Sequence, residues 1–431
     1  MITLTNLHHE VGHDLHSRSL ARLRNPELGL GLGSGLPAGG PNSGPGMAFD
    51  FVASEALDSR ITFTRGSAAT RVNALGQIEV VGNNVPRFDY DPVTLEALGL
   101  LIEEPRTNFL IQSEFMDGLP PSRGPLVTIT TFAGLISGTG LAFGYDGISS
   151  PYFYVTNYAV PASLPRVISI FVRMDDGGAP AFGNNATQHP ANDFVFNLGG
   201  TVLAPTAANG GKVEDYGGGL YRVSLAITTS AAPGSSCGVI KYAANSTRTF
   251  KVSGIMVEAG ALTTSYIPTS TSAATRAADT AVVFGAGFAG WYNQAAGSII
   301  VAFDRNPAID STDRGMVSLD VGSASSRMIL YSSTIGRMLG ASGGTTVFSF
   351  ANVGSIVTGT RYTMALAYAL DDFAACMNGG TLSVDGSGIP PAASQMTIGG
   401  GPGASALNGH IRSITYYNRR LPNADLQRLT A

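Results

Sequence analysis

Leu220-Tyr221-Arg222-Val223-Ser224-Leu225-Ala226-Ile227 alternates by twos. Tyr221, Val223, Leu225 and Ile227 fall on one face, and Arg222, Ser224 and Ala226 on the other. That period belongs to an antiparallel strand with one buried and one wet face. The same grammar extends in both directions. Leu126–Phe132, Leu141–Tyr145, Tyr152–Thr156, Val167–Arg173, Asp193–Leu198, Cys237–Ala243 and Thr249–Glu258 are short apolar runs bounded by Gly, Pro or Asn. Such spacing predicts a β-sandwich or jelly roll.

A second series begins after Ala277, with strands expected at 297–304, 315–320, 327–331, 337–341, 346–350, 361–368, 373–378, 381–384, 396–399 and 409–417. In 361–368, Tyr362, Met364, Leu366 and Tyr368 alternate with Arg361, Thr363, Ala365 and Ala367, again predicting one wet face. Asn423 and Asp425 open a short closing helix. The fold class is therefore all-β: two sandwich or jelly-roll domains after a short helical anchor, a Gly/Pro-rich linker and a small β-rich connecting segment. The expected divisions are 1–46, 47–118, 119–275 and 276–431.

Composition agrees. Only 13% of the 431 residues are charged, against roughly a quarter in soluble domains, and 55 are Gly. A net charge of −4 argues against nucleic acid as a partner. No apolar run of about 18 residues predicts a membrane span, and no export signal is read at the N-terminus. Cys237 and Cys376 fall in different expected domains and are read as free thiols.

The stretch from Phe63 to Asn108, FTRGSAATRVNALGQIEVVGNNVPRFDYDPVTLEALGLLIEEPRTN, resembles a segment of bacteriophage tail-fibre and head-spike proteins, including the spikes of gene transfer agents. In that family it joins the particle-attached end to glycan-binding β-domains. Residues 218–223, 256–260 and 264–269 are similar to the closing part of carbohydrate-binding modules in phage fibres, although Leu220 stands where the family has Trp. Trp291 to Phe303, with Leu407 to Thr430, resembles concanavalin-A-like, laminin-G-type lectin domains. The resemblance implies a virion spike or fibre made in the host cytoplasm and released by lysis. It would attach through residues 1–46 to capsid or tail proteins and bind bacterial surface polysaccharide as a homo-oligomer, a trimer being one candidate. A polysaccharide-cleaving hydrolase or lyase, and a decoration protein without a glycan site, are the alternatives.

Sugar contact needs exposed rings for the apolar sugar face and polar groups for the hydroxyls. Tyr145, Asp146, Tyr152, Tyr154, Asn157 and Tyr158 cluster in the middle domain, and Trp291 and Tyr331 are the candidates in the last one. In Tyr152–Thr156, alternation turns Phe153 and Val155 inward and leaves Tyr152 and Tyr154 toward solvent or a groove, where truncation would cost no more than about 1 kcal/mol. No catalytic residue is assigned. Asp175-Asp176, Glu214-Asp215, Asp371-Asp372 and Glu103-Glu104 are carboxylate doublets without a distinguishing context. Glu103-Glu104 is expected to pair with Arg87 or Arg106. No cofactor is expected, with a structural calcium at Asp304, Asp310 and Asp313 as an option.

Two features stand apart. His9-Glu10-Val11-Gly12-His13 has the HExxH zinc spacing, but a Gly-rich linker follows where a zinc enzyme needs a folded wall. It is read as a decoy. Ser67-Ala68-Ala69-Thr70-Arg71 recurs as Ser272-Ala273-Ala274-Thr275-Arg276. Each copy is read as a clip between β-regions, its guanidinium satisfying several carbonyls at an irregular junction.

Overall fold

A computed structural model describes residues 44–115, 122–156, 165–227, 236–305, 311–357 and 359–431. The expected anchor, linker and HExxH segment lie outside the described residues. Every described strand belongs to the unit from Pro45 to Ala431.

The chain is all-β. In the middle sandwich, a six-stranded sheet runs Lys212–Asp215, Tyr221–Ile227, Arg166–Met174, Phe250–Ala259, Thr139–Phe143, Val127–Thr131. Opposite it, a five-stranded sheet runs Thr201–Leu203, Val195–Leu198, Ser236–Ile240, Tyr152–Thr156, Ser122–Arg123. All pairings in both sheets are antiparallel. Inward-facing Phe143, Phe153, Ile170, Phe194, Phe196, Val223, Leu225 and Phe250 fill the space between them.

A bulge separates Ser169 from Phe171 where Arg166–Met174 pairs with Phe250–Ala259. Gly254 sits there at φ +62°, and a Cβ on it would come within 2.8 Å of the Phe171 ring. Only glycine tolerates both conditions.

Phe153 is fully buried and meets Phe115 and Phe143 edge-on, with centroids 5.1 and 6.1 Å away. Phe153→Ala is expected to cost about 3–5 kcal/mol through lost contacts and the cavity left behind. A denaturant melt with an unchanged midpoint would refute this placement.

The second sandwich draws on both ends of the unit. Its larger sheet runs Ser383–Asp385, Asp372–Met377, Arg361–Ala369, Ala296–Arg305, Gly409–Tyr417, Ala97–Ile102, Phe88–Tyr90. Met47–Asp50 also pairs with Gly409–Tyr417, from Met47↔Tyr416 to Asp50↔Ser413. The facing sheet begins with Ile61–Thr64 beside Thr280–Phe284 and continues through Gln395–Ile398 and Arg314–Asp320 to Thr345–Ser355. Four strands of the stretch 47–118, read from sequence as a connecting segment, thus belong to this sandwich. Between them in sequence lies a small hairpin, Ala69–Val72 with Ile78–Val81.

Two sequence expectations need correction. The outer face of Arg361–Ala369 is wet only at its start, at Arg361 and in part at Thr363: Ala365 and Ala367 are buried with Leu421 and Leu426, because the closing helix Asn423–Thr430 lies over them. Nor is the Arg222 face of Tyr221–Ile227 wet, with Arg222 3% exposed. Its guanidinium donates to Thr264 O at 2.7 Å and Ser169 Oγ at 3.0 Å.

At the meeting of the two sandwiches, Arg106–Asn108 pairs with Ala274–Arg276. Beside this ladder lies a buried ionic cluster. Arg87 pairs with Glu103 at 2.7 Å and with Asp279. Arg65 reaches Asp279 at 3.1 Å, and Arg276 reaches Glu103 at 3.0 Å. The expected pairing of Glu103 with Arg87 is present, as is that of Glu104 with Arg106. Arg276 also donates to Ser265 Oγ and Glu104 O, which is the clip geometry read from the repeat. Arg71, its counterpart, is half-buried and binds Glu79 and Phe88 O. The two copies are therefore not equivalent.

Candidate functional site

The outer face of the five-stranded sheet carries a cluster of tyrosines. Register places Tyr152 opposite Ile240 and then Val195. The next outward row is Tyr154, Gly238, Asn197, Val202. Phe153 and Val155 point into the core as alternation requires. Tyr152 and Tyr154 stack on each other, centroids 4.7 Å apart and planes 26° from parallel. They rest on Val195, Ala204 and Ile240, with Val202 and Tyr242 alongside.

Both tyrosines are half-buried rather than exposed. The expectation that truncation is nearly free of cost fails for that reason, since it uncovers Val195 and Ile240. Tyr154 hydrogen-bonds Asn197, and burial pushes its phenol pKa up. Between them in the row lies Gly238. A Cβ there would lie 1.9 Å from the Phe153 backbone oxygen, so the close approach of the neighbouring strand requires glycine. Asn197 Oδ1 in turn accepts from Gly200 N at 3.0 Å, fixing the amide. The result is a ridge of two rings with an anchored amide beside it. Rings supply the apolar surface that a sugar face stacks on, and a fixed amide supplies hydroxyl recognition.

The remaining candidates scatter. Tyr145 donates to Ala243 O at 3.1 Å, and its ring lies 5.2 Å from the Lys241 ammonium. Burial lowers the Lys241 pKa to about 8. Asp146 accepts from the Ile148 and Ser149 backbone and from Ser149 Oγ, which makes it the staple of a turn. Asn157 and Tyr158 lie outside the described residues. Trp291 offers no exposed face: it is buried, donates to Gly287 O at 2.6 Å and packs edge-on against Phe288 and Tyr416. Tyr331 is half-buried in the second sandwich, beside Arg337.

Sequence reading missed Asn197, Gly238 and Tyr242. Asn197 was legible in principle, as the polar outward residue of Val195-Phe196-Asn197-Leu198. Gly238 was not, because the need for glycine comes from the Phe153 backbone of the strand beside it.

The carboxylate doublets are mostly occupied by pairing. Asp175 meets Lys251, Asp176 meets Arg248, Asp372 meets Arg420, and Glu103 and Glu104 belong to the junction cluster. Of the calcium option, Asp304 bonds His410 and Asp313 pairs with Arg337, while Asp310 lies outside the described residues. Among the described residues, no group of three or more His, Cys, Asp or Glu side chains is arranged to hold a metal.

No protein-family model matches the sequence, and no curated protein matches it. Solved structures similar to part of the chain include the CBM40 module of the Ruminococcus gnavus IT-sialidase bound to α2,6-sialyllactose. There the identity is 15% over 34% of this chain and 88% of that one, with a TM-score of 0.30. The Trypanosoma rangeli sialidase in complex with the inhibitor DANA is another, at 19% identity over 35% of this chain and 25% of that one, TM-score 0.28. The chain thus spans about a quarter of that sialidase. Neither likeness bears on ligand or activity at these values.

Proposed function

We propose that this chain is a glycan-binding adhesin, the spike or fibre of a phage-like particle, which attaches through its N-terminal region and holds bacterial surface polysaccharide on its β-sandwiches. The observation that carries the sugar-binding part is the Tyr152–Tyr154 ridge with Asn197 beside it. The particle assignment is supported by the sequence resemblance of Phe63–Asn108. Weak single sites suffice for such a role. A millimolar site is worth about −4 kcal/mol, and several copies on one particle raise avidity by roughly 10²–10⁴.

The test uses Tyr152→Leu and Tyr154→Leu, which keep apolar cover over Ile240 and Val195 but remove the rings. Both variants are expected to melt within about 1–2 kcal/mol of the parent, in keeping with a partial loss of buried area. Retention on capsulated host cells should fall at least tenfold. Folded variants that bind like the parent would overturn the site. Release of reducing ends from capsule by the parent protein would overturn the binding-only reading.

A further inference from the structure

We infer that the free edge of Val127–Thr131 pairs, antiparallel, with the same strand of a second copy of this chain, about a two-fold axis at Ile129. Val127–Thr131 ends the six-stranded sheet, and no described strand lies on its outer side. Its register with Thr139–Phe143 runs without a shift from Val127↔Phe143 to Thr131↔Thr139. Gly144 N donates to Leu126 O at 2.9 Å and Phe132 N to Gly138 O at 2.7 Å, which continues the ladder at both ends. Those two bonds also set its phase. Leu126, Thr128, Thr130 and Phe132 turn their backbone groups to the neighbouring strand, so the N–H and C=O of Val127, Ile129 and Thr131 point outward.

A row of that kind is a template for another strand, and proteins guard it with charge, shortness or a bulge. Several other edges here are guarded in those ways. Lys212–Asp215 carries Lys212, Glu214 and Asp215, and Thr345–Ser355 is interrupted by two register shifts. Ser122–Arg123, Thr201–Leu203 and Ser383–Asp385 are very short. Val127–Thr131 is unbulged and uncharged. No Asp, Glu, Lys, Arg or His occurs from Gly124 to Tyr145, and Ile129 is 55% exposed.

Neutrality favours a second copy over a foreign strand. An edge that selects a foreign strand gains specificity from charge. One that meets its own copy about a two-fold must be neutral on the axis, because a charge there would face itself. With Ile129 on the axis, Val127 falls opposite Thr131 of the second copy, and each outward N–H meets an outward C=O. The two exposed Ile129 side chains meet, and Thr128 stands opposite Thr130 of the second copy, a hydroxyl pair that strands favour. Tyr152 and Tyr154 lie on the outer face of the other sheet, so two copies joined in this way present two ridges.

The experiment reads assembly of the full chain without glycan, so its failure leaves the proposed function untouched. Sedimentation velocity should give a dimer at micromolar concentration. Ile129→Lys, which sets two ammonium groups face to face, should weaken association at least about tenfold with an unchanged far-UV spectrum, and so should Ile129→Glu. An equal mixture of the two should recover the dimer, which a defect in folding would not. Ile129→Cys should form a disulfide between copies on mild oxidation, since directly opposed Cα atoms about 5.5 Å apart suit that bond, and the native Cys237 and Cys376 are buried. The inference is overturned by a monomeric or trimeric parent, by an Ile129→Lys protein that associates like the parent, by a mixture that stays monomeric, or by an Ile129→Cys protein that does not cross-link.

Discussion

Replacing Arg87 with Met should lower the unfolding free energy by about 3–5 kcal/mol, the scale of a buried ion pair broken from one side. Arg87 is completely buried, and its guanidinium is shared between Glu103 and Asp279. Methionine fills much of the volume but leaves both carboxylates short of a counter-charge. The cost is electrostatic rather than a matter of packing. The pH profile separates the two. Burial alone would raise the Glu103 pKa, but Arg276, Arg87 and the Ser265 donors overcome it and hold the carboxyl well below its ordinary 4.5. A carboxylate with a depressed folded pKa contributes stability that is complete above about pH 4.5 and is lost as pH falls through the folded value. Denaturant melts of Arg87→Met should therefore begin to lose stability at higher pH than the parent. Arg71→Met, at the half-exposed member of the repeated pentapeptide, should change stability by about 0–1 kcal/mol. Equal effects at the two arginines would refute the assignment of Arg87 to a buried cluster.

His410→Ala is expected to be nearly as damaging, at about 3–5 kcal/mol. The ring is 4% exposed. Its Nδ1 lies 2.7 Å from Asp304 Oδ1 and its Nε2 3.0 Å from Asp89 Oδ2, so both nitrogens face carboxylates and both donate. Burial opposes the charged ring, but the two carboxylates outweigh it and raise its pKa from 6.5 to about 10. Because the folded value is the higher one, this contribution is complete below about pH 6.5 and disappears as pH rises through 10. Parent protein should thus lose stability between those limits, and His410→Gln should lack that decline. A parent curve flat from pH 6.5 to 10 would show that the ring is neutral in the fold.

Much of the fold was legible because strands carry a local signal. The expected run Val167–Arg173 is observed as Arg166–Met174, and Tyr152–Thr156 is observed unchanged. Burial on the second face was not legible. Arg222 and Ala365 looked solvent-facing by alternation, yet a distant loop covers one and the closing helix the other. The site divides in the same way. That Phe153 and Tyr154 oppose each other follows from neighbouring positions. That Tyr154, Gly238 and Asn197 fall in one row depends on the register of three strands, which no local pattern encodes. Trp291 shows the converse hazard, since ring chemistry suited to a sugar serves equally well in a core.

The pairing of Met47–Asp50 with Gly409–Tyr417 sets an order of events during synthesis. Met47 leaves the ribosome long before Tyr416. At roughly 5–20 residues per second the wait is on the order of 20–70 s. The middle sandwich has all its strands, from Ser122 to Ala259, available well within that interval. It can close while Met47–Asp50 and Ile61–Thr64 still lack partners and Ala97–Ile102 has only Phe88–Tyr90 beside it. Those early strands are apolar on at least one face, with Met47, Phe49, Ile61, Leu100 and Ile102 all buried in the finished protein. Nascent chains therefore pass through a stage with one finished domain and several sticky, unpaired edges. Premature termination anywhere between residues 260 and 408 would leave Met47–Asp50 and one edge of Ala97–Ile102 permanently without their partner strand, so truncated products should collect in the insoluble fraction although the middle sandwich is correctly folded.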